Sequence, residues 1–240
     1  HMQECITPLE KQLAECVSER EAQESANECA RLLRCADERR PDAPSLRGAA
    51  LVRACGAPGR EGCARALLGV GADVDHADAS GRTPLMNACF GGDDLCARAL
   101  IEAKANLDKQ ADTGATALIL SCQEGHERCV QALVAAKANL ETTQNDGFTA
   151  LMVSCQLGHE LCARALIEAK ANLEMRQKNG FTALMFSCQD GHDLCARALI
   201  DANANLEATT DQGSIALIWA CRNGHDLCAR ALIEAKANLE

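Results

Sequence analysis

Apolar residues along this chain fall in short clusters separated by polar turns, and the clusters return with one fixed period. Gly81, Gly114, Gly147, Gly180 and Gly213 mark it, each 33 positions from the last. Two residues after each glycine an apolar run opens: Thr83-Pro84-Leu85-Met86, Thr116-Ala117-Leu118-Ile119, Thr149-Ala150-Leu151-Met152, Thr182-Ala183-Leu184-Met185 and Ile215-Ala216-Leu217-Ile218. A second cluster, Cys-Ala-Arg-Ala-Leu-Ile or a near copy, comes later, and Ala-Asn-Leu follows it. The spacing predicts two short helices per unit. The first starts near the threonine and ends at a polar pair. The second runs from the residue after His126, His159, His192 or His225 to the Ala-Lys-Ala segment. A unit this small cannot bury its apolar face alone, so the period predicts a stack of helical hairpins.

Residues 78–110, 111–143, 144–176, 177–209 and 210–240 read as five clear units. Residues 45–77 read as a sixth, with Leu51, Cys55, Cys63 and Leu67 in order and a longer turn at Gly56-Ala57-Pro58-Gly59. Residues 3–44 read as a degenerate N-terminal capping hairpin. Thr7-Pro8-Leu9-Glu10 offers a helix cap, a proline at the first helical position and a capping-box glutamate. Cys29-Ala30-Arg31-Leu32-Leu33 repeats the second-helix text, and the charged Ser18-Glu19-Arg20-Glu21 suits an outer face. The competing reading is a separate coiled-coil helix, but the apolar heptad fails after Val17. The last unit closes in the letters of an interior one, Glu234-Ala235-Lys236-Ala237-Asn238-Leu239, which predicts that the array is truncated at residue 240.

The combination of Gly-x-Thr-Pro/Ala-Leu, Gly-His and Ala-Asn-Leu at one period resembles the ankyrin repeat over roughly residues 45 to 240. The resemblance implies an all-α solenoid of stacked helix-turn-helix units with turn fingers. It also implies protein recognition on a concave face made from turn tips and first helices. One position departs from the family. Where it usually carries His after Thr-Pro-Leu, this chain has Met86, Ile119, Met152, Met185 and Ile218. That predicts apolar packing in place of the family's buried turn hydrogen bond. Where the family usually has a left-handed glycine, the chain has Lys104, Lys137, Lys170, Asn203 and Lys236. The lysines are therefore expected at positive φ, at a cost of about 1 kcal/mol each.

Composition narrows the function classes. The 34 acidic and 24 basic residues give a net charge of -10, which disfavours nucleic acid, where phosphate neutralisation supplies most non-specific affinity. No long apolar run predicts a membrane span. Sixteen cysteines suggest disulfides until their places are read. Cys89 and Cys96, Cys122 and Cys129, Cys155 and Cys162, Cys188 and Cys195, and Cys221 and Cys228 each put one thiol on each helix of a unit, at apolar positions. Free Cys behaves as a small hydrophobe, so the expectation is a reduced core in a cytoplasmic, reducing compartment. Successive His residues lie a whole unit apart, about 8–10 Å, too far to share a metal at a bond length of about 2 Å. Each imidazole is instead expected to open its helix and bond nearby backbone. No nucleophile–base set, cofactor motif or metal motif is present, and no enzyme activity is expected.

Copies within the chain differ most at the turn tips and at the pair ending each first helix. Those places give a candidate binding set: Arg82, Phe90, Gln123, Phe148, Gln156, Leu157, Phe181, Gln189 and Arg222. Phe148 and Phe181 follow the turn glycine on adjacent fingers and are expected side by side, partly exposed. Phe186 and Trp219 occupy a first-helix place expected in the core, with Trp219 a special case because truncation of the last unit uncovers it. The leading function is a non-catalytic module that binds a protein or peptide in the groove. The alternatives are a structural spacer, or the substrate-targeting arm of a larger enzyme. A monomer is expected, with weak self-association through the exposed last unit.

Overall fold

The threonine of each unit starts a helix for a local reason. Thr83, Thr116 and Thr149 lie in extended backbone, and each hydroxyl accepts the amide three residues on, from Met86, Ile119 and Met152, at 3.3 Å. One of the amides that a helix start leaves unpaired is thereby satisfied. Pro84 takes the first helical position, where a missing N–H costs nothing. Thr182 and Ile215 hold the same place without a side-chain cap.

The computed structural model describes residues 43–56 and 59–236. Its helices come in six consecutive pairs. They are α1 (Ala43–Cys55) with α2 (Glu61–Gly69), α3 (Pro84–Phe90) with α4 (Asp94–Glu102), and α5 (Ala117–Gln123) with α6 (Glu127–Ala135). Then follow α7 (Ala150–Gln156) with α8 (Glu160–Glu168), α9 (Ala183–Asp190) with α10 (Asp193–Asp201), and α11 (Ala216–Arg222) with α12 (Asp226–Glu234). No strand occurs among the described residues. First helices stack on first helices and second on second, giving an all-α solenoid. The capping hairpin expected over residues 3–44 lies outside the described residues, apart from the start of α1.

One core runs the length of the stack. Leu85, Met86 and Cys89 of α3 and Cys96 and Leu100 of α4 are buried, and the matching residues of later pairs repeat this except Ile218 and Cys221 of α11. The buried hydroxyls of Ser121, Ser154 and Ser187 donate to Leu118, Leu151 and Leu184 carbonyls at 2.9–3.0 Å, so small polar residues sit in the core satisfied. Met86, Ile119, Met152 and Met185 are buried as expected, with one refinement. The Met86 sulfur accepts the Thr83 amide at 3.4 Å, so that turn keeps a weak polar contact. Ile218 is 47% exposed, because α11 carries no further tier on its outer side among the described residues.

None of the twelve described cysteines is in a disulfide, and only Cys221 among them is exposed. The thiols pair between tiers. Cys55 faces Cys96, Cys89 faces Cys129, Cys122 faces Cys162, Cys155 faces Cys195, and Cys188 faces Cys228, whose thiol donates to Ser187 O at 3.8 Å. Each pair joins a first helix to the second helix of the next tier. The facing thiol and burial together hold Cys89, Cys155 and Cys188 well above the ordinary thiol range. The shift favours the protonated thiol at these three positions.

The left-handed expectation holds at every described position. Lys104, Lys137, Lys170 and Lys236 have φ of 65°, 66°, 67° and 65°, and Asn203 has 62°. The turn lets the Lys137 amide reach Val134 O and the Ala138 amide reach Leu133 O, both at 3.0 Å, which closes the helix. A β-carbon is strained in this region, so Lys137→Gly and Lys170→Gly should each stabilise the protein by about 1 kcal/mol. Urea denaturation checks this, and a lowered midpoint in either variant contradicts it.

Candidate interaction groove

Between the helical pairs the chain makes short fingers. In the finger at 144–148, Gln144 donates to Phe148 O and Gly147 donates to Gln144 O, both at 2.9 Å. Adjacent fingers are tied tip to tip: the amides of Asp112, Asn145 and Asp211 donate to Ser80, Thr113 and Asn179 carbonyls at 3.1 Å. At the base, the amides of Asn139, Asn172 and Asn205 donate to carboxylates of Asp108, Glu141 and Glu174 on the preceding unit, each at 2.8 Å.

The histidines form a third tie, in a direction the sequence did not reveal. His126 Nε2 donates to Phe90 O at 3.1 Å, His159 to Gln123 O at 3.0 Å, His192 to Gln156 O at 2.9 Å and His225 to Gln189 O at 3.0 Å. Each ring opens its own helix but bonds the preceding tier, not nearby backbone. It occupies space over that tier's glycine: a β-carbon on Gly125 would lie 2.6 Å from His159 Nδ1. In the unit at 78–110, Asp93 stands in the histidine's place, caps α4 through the Cys96 amide at 3.0 Å and accepts Gly59 N–H at 3.2 Å. No group of three or more His, Cys, Asp or Glu suited to a metal occurs among the described residues.

Fingers and first helices enclose three hollows in series. The first, about 530 Å³, has Val52 and Ala49 on its floor and Arg82 and Phe90 on its wall. The second, about 460 Å³, shares Arg82 and adds Leu120 and Gln123. The third, about 560 Å³, shares Gln123 and is walled by Phe148, Gln156 and Leu157. Beyond it runs an aromatic row. Phe148 meets Phe186 at 4.9 Å between centroids, Phe186 meets Phe181 at 5.1 Å, and Phe181 meets Trp219 at 5.0 Å.

Six of the nine predicted contact residues therefore line the hollows, and Phe181, Gln189 and Arg222 lie along the continuation. Arg82 stacks on Phe90 at 4.7 Å and Arg222 lies 5.8 Å from the Trp219 ring, geometry that suits cation–π attraction. Phe148 and Phe181 are half-buried, as expected, and each ring rests on the buried Phe186. Phe186 is in the core as expected, and Trp219, the special case in the last unit, is half-buried and ends the row. Asp78 is set into its finger. Burial opposes its charge, but bonds from Ser80 and from the Arg82 amide outweigh this and hold the carboxyl below its usual range. Gln144, Glu124 and Asp146 also line the third hollow and were not singled out from sequence. The signal was present, since Glu124 and Asp146 fall among the letters that vary between copies.

Comparison with known proteins agrees with the geometry. The family description "Ankyrin repeats (3 copies)" matches residues 51–144, 92–177 and 169–240. Among curated protein sequences none matches the chain. The crystal structure of the human ASB11 ankyrin repeat domain is similar at a TM-score of 0.70 and 25% identity, covering 79% of this chain and 85% of that one. No helix among the described residues is long and apolar enough to cross a membrane. The period, the paired helices and the family match together place the chain in the ankyrin-repeat family.

Proposed function

We propose that this chain is a non-catalytic protein-interaction module that holds a peptide or a protein domain along the groove of fingers and first helices. The observation that carries the reading is the line of three hollows continued by an aromatic row, on the face where copies of the unit differ. Arg82, Phe90, Gln123, Phe148, Gln156, Leu157, Phe181, Gln189 and Arg222 are the proposed contacts. Aromatic and arginine side chains of this kind concentrate binding energy at interfaces. Leu157, 46% exposed at the mouth of the third hollow, offers apolar surface on this face.

Photo-cross-linking residues placed at Leu157 and Gln189 should trap one shared partner in cells. The same residues at Leu161 and Arg98, on the second helices, should not. A partner trapped only from Leu161 and Arg98 removes the groove from consideration. The proposed contacts are better tested this way than by removing Phe148 and Phe181, because both rings also pack in the aromatic row.

A further inference from the structure

We propose that the third hollow seats a cationic side chain, arginine or lysine, of an extended peptide. This rests on the groove reading above and adds the chemistry of the occupant. The walls of the hollow are of two kinds. Phe148, Val153 and Leu157 supply an apolar side, and the carboxylates of Glu124 and Asp146 stand at the exposed rim.

Those carboxylates are lightly used. Glu124 Oε1 accepts from Gln123 Nε2 at 3.0 Å, and Asp146 Oδ1 accepts the Phe148 amide at 3.4 Å. Each carboxylate has room for several donors. Neither forms an ion pair among the described residues. Lys178, on the next finger, lies with its stem against Gly147. A long aliphatic stem ending in positive charge suits both halves at once. The methylenes cover the apolar wall and the head reaches the carboxylates with charge-assisted hydrogen bonds. The net charge of -10 favours the approach of such a partner.

Spacing gives the register. A peptide in the polyproline II conformation advances about 3.1 Å per residue and returns its side chains to one face every third residue, so at about 8–10 Å between stacked helices each tier takes about three residues. An apolar side chain three residues from the cation reaches the row formed by Phe148, Phe186, Phe181 and Trp219. Trp219, the chain's one tryptophan, then serves as an optical reporter of occupancy.

The test uses the 240-residue chain and a positional library of fluorescein-labelled nine-residue peptides. One site is fixed as Arg, Lys, citrulline or Glu, and Leu is placed three residues to either side. Anisotropy and Trp219 emission read binding. Arg and Lys peptides should bind about tenfold tighter than the neutral citrulline isostere. The charge-removing pair Glu124→Gln and Asp146→Asn should abolish that preference while leaving the circular dichroism spectrum unchanged. Equal affinity for Arg and citrulline, a preference for Glu, a preference that survives in the double variant, or no binding by any peptide overturns the proposal. Binding without a cation preference leaves the groove reading standing, whereas partner cross-links confined to Leu161 and Arg98 remove both.

Discussion

Gly125→Ala should lower stability by about 3–5 kcal/mol and divide the urea unfolding curve into two steps. Two costs combine. Gly125 has φ of 74°, where an L-residue pays about 1–2 kcal/mol. The added methyl would also lie 2.6 Å from His159 Nδ1, so the ring must leave and the His159–Gln123 bond of 3.0 Å is lost with it. A solenoid is held by its nearest-neighbour joints, so damage at one of them uncouples the tiers on either side. Gly224→Ala separates the two contributions. Its φ is 75°, but nothing lies within 4 Å of the added carbon. That variant should lose only the backbone share, about 1–2 kcal/mol. Equal losses in the two variants would show that the imidazole contributes nothing to stacking.

Phe186→Ala should cost about 3–5 kcal/mol and shift Trp219 emission. Phe186 is 5% exposed and is the ring on which both Phe148 and Phe181 rest. Its removal leaves a cavity and takes away two aromatic contacts, each about 0.5–1.5 kcal/mol beyond the buried area. Phe181 then loses its backing and alters the surroundings of Trp219 at its other face. Phe90→Ala is the contrasting case. Phe90 is 39% exposed and is stacked by Arg82, so its loss should be about 1 kcal/mol or less. Denaturant titration with tryptophan fluorescence distinguishes them. A loss below about 1.5 kcal/mol for Phe186→Ala would mean that the aromatic row is surface decoration.

Local features were readable before any coordinates. The period set the hairpins, the threonines marked helix starts, and the lysines at 104, 137, 170 and 236 announced left-handed turns because a glycine position leaves no other backbone solution. Burial of the thiols was legible too, since their places repeat within an apolar pattern. Contacts between tiers were not. Which thiol meets Cys122, or which carbonyl receives His159, depends on the offset between stacked units, and spacing within a unit carries no information about that offset. The same offset brought Phe186 against both Phe148 and Phe181. Glu124 and Asp146 stayed inconspicuous for a different reason: a surface carboxylate matters only when a hollow lies beside it, and a hollow is a property of two tiers together.

The acceptor for each histidine is the main-chain oxygen of Phe90, Gln123, Gln156 or Gln189. Every amino acid owns that oxygen. Side chains at these four sites take no part in that bond, so each can be exchanged while the histidine tie beneath it is kept.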